Sequence, residues 1–139
     1  MNKQLMVNGT SVLIFRILLS GIFISAGISH LLQPEKVAAR ISTAAFHKFA
    51  VFFGDPHLLG LITGYILLAG GLALLMGIYV RWASIALLFV LIPITITIQL
   101  GNGLLHGPLW KNMALFGGLL FFIVNNPKVY SIYNKKLKK

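Results

Sequence analysis

Residues 56–110 read PHLLGLITGYILLAGGLALLMGIYVRWASIALLFVLIPITITIQLGNGLLHGPLW and contain a single charged residue, Arg81. The first 25 residues of this stretch, up to Val80, carry no Asp, Glu, Lys or Arg, and neither do the 29 residues from Trp82 to Trp110. A helix needs about 20 mainly apolar residues to cross a hydrocarbon core of roughly 30 Å. Two such runs joined at one arginine therefore predict a transmembrane hairpin.

The composition of the chain extends this interpretation to a bundle. Hydrophobic residues make up 58% of the 139 positions and charged residues 10%, whereas soluble domains carry roughly 25% charged residues. The apolar runs predict four spans, near residues 10–32, 57–80, 82–101 and 109–124. The expected fold is all-α: a four-transmembrane-helix bundle that forms one integral membrane domain over residues 1–139.

Residues 33–55 form the sizeable loop of this topology and carry the pattern of a short amphipathic helix. Pro34 and Glu35 are typical of a helix start. The apolar residues that follow at helical spacing are Val37, Ile41, Ala45, Phe49 and Phe52. We therefore expect a short interfacial helix between spans one and two. It either caps the bundle or forms the lid of a site beneath it.

The net charge of +10 is distributed in a way that favours lipid over nucleic acid as a partner. With four spans both termini share one side of the membrane. That side holds seven basic residues against four on the other, with Arg16 set aside as intramembrane. Basic residues accumulate on cytoplasmic loops, so both termini are predicted in the cytoplasm of a bacterial plasma membrane. The basic tail, residues 125–139, is expected to anchor the topology and to contact anionic lipid.

Polar side chains on the spans gather in the outer third of the predicted bundle. The candidate ligand-binding residues are His30, His57, Gln99, His106 and Asn112. Histidine and amide donors beneath the amphipathic loop suit the carbonyls of a quinone. In the plainer alternative, histidines at a membrane boundary hydrogen-bond to lipid headgroups or to loop carbonyls. No spacing here is specific for zinc or haem, so no metal is expected, and no cofactor other than quinone is suggested. The sequence contains no cysteine, which excludes thiol chemistry within this chain.

A second set of residues is interpreted as structural. Its members are Arg16, Gly60, Gly64, Gly71, Pro93 and Lys111. The three glycines form a stripe of small residues that lets helices approach closely. Pro93 is expected to kink the third span. Arg16 and Lys111 are expected to extend toward the two membrane surfaces, Arg16 toward cytoplasmic phosphate.

Several of these residues resemble the DoxX/DoxD family of small membrane proteins. The segments that carry the resemblance are Arg16 with Gly21 and Gly27, residues 29–34 (SHLLQP), Gly70-Gly71 with Gly77 and Arg81, and residues 109–120 (LWKNMALFGGLL). The last of these is the most specific. Many members carry an acid shortly before the double glycine of span two, where this chain reads GYILL over residues 64–68. If that acid pairs with the arginine of span one, Arg16 lacks this partner.

The resemblance implies a four-helix protein associated with redox systems, and two functions follow from it. One is a non-catalytic membrane subunit or assembly partner of a redox enzyme. The other is a quinone-binding component resembling thiosulfate:quinone oxidoreductase, with its site at the outer end of the bundle. The partner of this chain could then be a redox enzyme subunit or, in a homo-oligomer, a second copy of the chain itself.

Overall fold

The computed structural model describes residues 6–133, which are mostly helical. The helices are α1 (Gly9–Leu32), α2 (Pro34–Thr43), α3 (His47–Phe53), α4 (Pro56–Met76), α5 (Val80–Ile94) and α6 (Gly107–Asn125). A π-helical turn (Thr95–Gln99) and a 3₁₀ turn (Leu100–Asn102) extend α5. Within the described residues, four helices are long and apolar enough to cross a membrane: α1, α4, the extended α5 and α6. The predicted four-helix membrane bundle is therefore confirmed.

Local sequence sets both ends of α4. The carboxylate of Asp55 accepts hydrogen bonds from the backbone N–H groups of His57, at 3.0 Å, and Leu58, at 3.2 Å. Pro56 follows as the first helical residue, where a missing N–H costs nothing. At the other end Gly77 has a φ of 71°, a left-handed conformation that glycine adopts without a steric penalty. The tight turn into α5 therefore falls at the end of the charge-free run.

Glycine residues bring α1 and α4 into close antiparallel contact. A Cβ atom on Gly27 would lie 2.6 Å from the backbone nitrogen of Leu68. A Cβ atom on Gly64 would lie 2.9 Å from that of His30, and one on Gly71 would lie equally close to α1. Membrane helices associate through such small residues because lipid supplies no hydrophobic drive between them. Two of the three predicted packing glycines therefore lie in the α1–α4 contact.

The predicted amphipathic helix is present as α2, and a second short helix, α3, follows it. Val37 and Ile41 of α2 are buried, and Gly60 of α4 leaves room for Val37, whose Cγ1 would lie 3.1 Å from an added Cβ. The backbone becomes extended at Ala44, where ψ is 147°. The predicted apolar face is broken there, and Phe52 of α3 is 84% exposed.

The end of α5 is irregular from two residues after Pro93 onward. The π-helical turn begins at Thr95, whose hydroxyl donates to the carbonyl of Leu91 at 2.7 Å. The same hydroxyl oxygen accepts a hydrogen bond from Nδ2 of Asn112 at 2.9 Å, which links α5 to α6. The kink at Pro93 stays a prediction.

The two ends of the bundle differ in character. We call the end formed by residues 33–55 and 103–106 the loop end, and the end formed by residues 77–79 and 126–133 the tail end. All four histidines lie at the loop end. Which end faces the cytoplasm stays a prediction. Five of the basic residues behind it lie outside the described residues, namely Lys3, Lys135, Lys136, Lys138 and Lys139.

Candidate functional site

A cleft of about 380 Å³ opens at the loop end, between α2, the end of α5 and the start of α6. Its walls combine one basic residue, four other polar residues and four apolar ones. They are Arg40, Thr43, Ala44, Ala45, Ile98, Gln99, Asn102, His106 and Pro108. The cleft therefore offers hydrogen-bond donors, a positive charge and apolar contact to one small molecule.

Two of the predicted ligand-binding residues meet in this cleft. Nε2 of His106 lies 3.0 Å from Oε1 of Gln99, so the imidazole donates and the amide oxygen accepts. This arrangement leaves the amide N–H groups of Gln99 and the Nδ1 lone pair of His106 for a ligand. Asn102 already donates its amide to the carbonyl of Ile98 at 2.8 Å and so presents its oxygen.

The chain brings Gln99 and His106 together by a turn. The helix that extends α5 ends at Asn102, and Gly103 has a φ of 88°, which favours glycine. In the same turn Gly101 packs directly against Ala45, with no room for a Cβ atom. The cleft therefore forms where residues 44–46, which connect α2 to α3, pack against the end of α5.

His30 and His57 lie elsewhere at the loop end. Thr63 donates its hydroxyl to the carbonyl of Leu59 at 2.7 Å, so its oxygen accepts from Nδ1 of His30 at 3.1 Å. His30 thus fixes α1 to α4 and leaves Nε2 as an acceptor. His57 is exposed in the first turn of α4. Neither residue lines the cleft.

Asn112 lies inside the bundle and also stays outside the cleft lining. It is 3% exposed, and its amide group bonds to Thr95 as described above. Lys111, its neighbour, is exposed and is the fifth residue of α6. The structure thus brings together Gln99 and His106 of the five predicted ligand-binding residues, and places the other three apart from them.

At the tail end Arg16 is bound by a segment that sequence reasoning missed. Its side chain is 1% exposed. Nη1 donates to the carbonyl of Val129 and to the hydroxyl of Ser131, each at 3.2 Å, and Nη2 donates to the carbonyl of Tyr130 at 2.5 Å. Nε has no hydrogen-bond partner among the described residues. The predicted extension to cytoplasmic phosphate is therefore replaced by contacts within the protein.

Residues 127–133, which we call the strap, hold this arrangement against the turn between α4 and α5. The backbone N–H of Tyr79 donates to the carbonyl of Tyr133 at 2.9 Å, and the N–H of Tyr133 donates to the carbonyl of Gly77 at 3.3 Å. The two tyrosine rings meet edge to face with centroids 5.1 Å apart. Hydrogen bonding by Tyr133 raises the pKa of Tyr79. The strap thus closes the tail end over Arg16.

The α1–α4 register separates Arg16 from residues 64–68, the segment before the double glycine of α4. Gly27 faces Leu68 and Gly64 faces His30, so residues 64–68 lie opposite the last turns of α1. Arg16 precedes Gly27 by eleven residues, which is about 16 Å along a helix. An acid on residues 64–68 would therefore lie near His30 and beyond the reach of Arg16.

Among residues 6–133 no three His, Asp or Glu side chains are grouped so that they could hold a metal ion. In comparison with known proteins, a family model described as DoxX matches residues 11–100. No curated protein and no solved structure matches the chain.

Proposed function

The chain is an integral membrane protein that belongs to the DoxX family, and from this premise we propose that it serves as a non-catalytic membrane subunit or assembly partner of a redox system. The association with redox systems comes from the family resemblance. The observation that carries the non-catalytic role is the environment of Arg16.

An ionisable residue inside a membrane protein is expensive and usually marks a pathway or a reaction site. Arg16 instead donates to two backbone carbonyls and a serine hydroxyl of the strap. Its neighbour Ser20 is also fully buried and donates its hydroxyl to the carbonyl of Arg16 itself. These bonds use the charge to join the strap to α1, which is a structural task.

The test is purification of the tagged protein from its native membrane. A protease-cleavable tag fused after Lys139 should resist protease added to intact spheroplasts, because the excess of basic residues predicts cytoplasmic termini. Gentle detergent extraction should then recover a subunit of a redox enzyme in stoichiometric amount. The same tag on an unrelated four-span protein is the control. Recovery of this chain with lipid and its own copies alone would contradict the proposal.

The cleft supports a second candidate, binding of a quinone head group. Its volume falls within the range of about 300–1,000 Å³ that small-molecule sites occupy. The Gln99 amide and the Arg40 guanidinium would donate to the ring carbonyls, while Ile98 and Pro108 would contact the ring. His30 and His57 lie outside the cleft lining, so the proposed donors are Gln99 and Arg40, while His106 holds the Gln99 amide in place.

Titration with short-chain ubiquinone or menaquinone should raise the melting temperature of the purified protein. Gln99→Leu should at least halve this shift, because it removes the free amide donors and breaks the bond to His106. His57→Leu is the matched control, since His57 is exposed at the same end but lies outside the cleft. Equal shifts in the two variants, or no shift with either quinone, would exclude this candidate.

A further inference from the structure

The outward face of α4 carries a polar group where the bilayer offers no partner. Its exposed residues are Leu58, Ile62, Tyr65, Ala69, Leu72 and Met76. They are spaced alternately four and three residues apart, which places them in one seam along the whole helix. The lipid-facing side of any membrane helix has this spacing. What distinguishes this face is the hydroxyl group of its one tyrosine.

Tyr65 lies at the middle of the membrane-spanning part of α4. It is the tenth of 21 helical residues, about 14 Å from one end of the helix and about 17 Å from the other. Its side chain is 65% exposed, and its hydroxyl makes no hydrogen bond with any of residues 6–133. Tyrosine normally lies at membrane interfaces, where its hydroxyl meets water or headgroups.

Two exposed residues on other spans provide a comparison with Tyr65. Ser25 on the exposed side of α1 donates its hydroxyl to the carbonyl of Ile22 in its own helix, at 3.0 Å. A tyrosine hydroxyl is held too far from its own backbone for this. On α5 the corresponding mid-membrane residue is Phe89, which is 77% exposed and has no hydroxyl.

We propose that the outward face of α4, centred on Tyr65, is a dimerisation surface that binds the same face of a second copy of this chain. Copies insert in one orientation, so a two-fold axis along the membrane normal places equivalent residues at equal depth. Each hydroxyl can donate and accept, so two Tyr65 side chains satisfy one another. Ala69, one turn away, lets the two backbones approach. A partner of another sequence would need its own polar group at this depth. The inference does not depend on the proposed redox role.

The absence of native cysteine makes a direct test available. Copies of an Ala69→Cys variant should form a disulfide-linked product of twice the chain mass when native membranes are oxidised. Phe89→Cys is the control, because Phe89 is the tenth residue of the extended α5 helix and, like Ala69, is exposed. Equal cross-linking of the two variants, or a product of any other mass, would overturn the proposal.

The hydroxyl itself is tested by Tyr65→Phe, which keeps the ring. Hydrogen bonds between membrane helices are worth enough to change association about three- to twenty-fold, so the dimerisation constant should fall by that factor. Energy transfer between labelled copies, diluted in liposomes, measures it. Phe89→Leu should leave the constant unchanged. A Tyr65→Phe variant that associates as tightly as the original chain would show that the hydroxyls do not meet.

Discussion

Replacing Arg16 with methionine is expected to lower the free energy of unfolding by about 2–4 kcal/mol. Three hydrogen bonds to the strap disappear, and each bond to a charged group contributes about 1.5–3 kcal/mol net. Removal of the cation also removes the cost of burying it, which offsets part of the loss. Chemical denaturation in mild detergent measures the change.

The sign of the Arg16 effect should depend on the strap. A chain that ends at Asn126 lacks all three acceptors of the guanidinium, so Arg16 becomes a charge with few partners near the membrane surface. In that shortened chain Arg16→Met should be neutral or stabilising. If Arg16→Met lowers stability equally in both chains, the stabilising contribution of Arg16 does not come from its bonds to the strap.

Arg81 provides the matched control at the tail end. Its Nε donates a single hydrogen bond to the carbonyl of Ile123, at 2.7 Å, which joins the start of α5 to the end of α6. Arg81→Met should therefore cost about 1.5–3 kcal/mol, the contribution of one such bond. This loss should be the same with and without the strap, since residues 127–133 do not take part in the bond.

The spans could be predicted from the sequence because their signal is local. A charge-free run of sufficient length has one favourable solution in a bilayer, a helix that satisfies its own backbone. The end of α4 at Gly77 and its start at Asp55 are equally local, since each depends on the conformation or side chain of one residue. Such features need no knowledge of the neighbouring helices.

The sequence predicts at which end of the bundle the candidate residues lie, but it does not predict which of them share a cleft. Topology alone places His30, His57, Gln99 and His106 at one end of the bundle. Which of them share a space depends on how each helix is rotated, and apolar helices that face both lipid and protein carry a weak rotational signal. Gln99 and His106 meet because the chain turns at Gly103, whereas His30 is drawn to Thr63.

The strap could not be predicted because its contacts with Arg16 use mainly backbone carbonyls. Any sequence supplies carbonyls, so residues 129 and 130 carry no signature of a guanidinium site. Only Ser131 contributes a side chain, and it lies 115 positions from Arg16. The family match ends at residue 100, so it does not cover the strap or the segment 109–120 that carried the most specific part of the resemblance.

The second large effect is expected at Gly27. Even the methyl group of Gly27→Ala would lie 2.6 Å from the backbone nitrogen of Leu68 and 2.9 Å from its Cα, and a helix backbone cannot move aside as a side chain can. We expect Gly27→Ala to cost about 1–3 kcal/mol through overpacking. Gly27→Leu should prevent α1 and α4 from pairing, so the protein should aggregate on extraction. Thermal unfolding and size-exclusion chromatography in detergent measure the two results.

Gly21 separates close packing from the general effect of adding a side chain to α1. It lies in the same helix, but a Cβ atom there would meet no atom within 4 Å. Gly21→Leu should leave stability unchanged or raise it by up to about 1 kcal/mol, because leucine favours the helical state over glycine. A Gly27→Leu chain as stable as Gly21→Leu would mean that α1 and α4 do not touch at Gly27. The same result would contradict the α1–α4 register, which rests on the contact between Gly27 and Leu68. That register keeps residues 64–68 out of reach of Arg16. The pair of variants therefore also tests why Arg16 takes its partners from the strap.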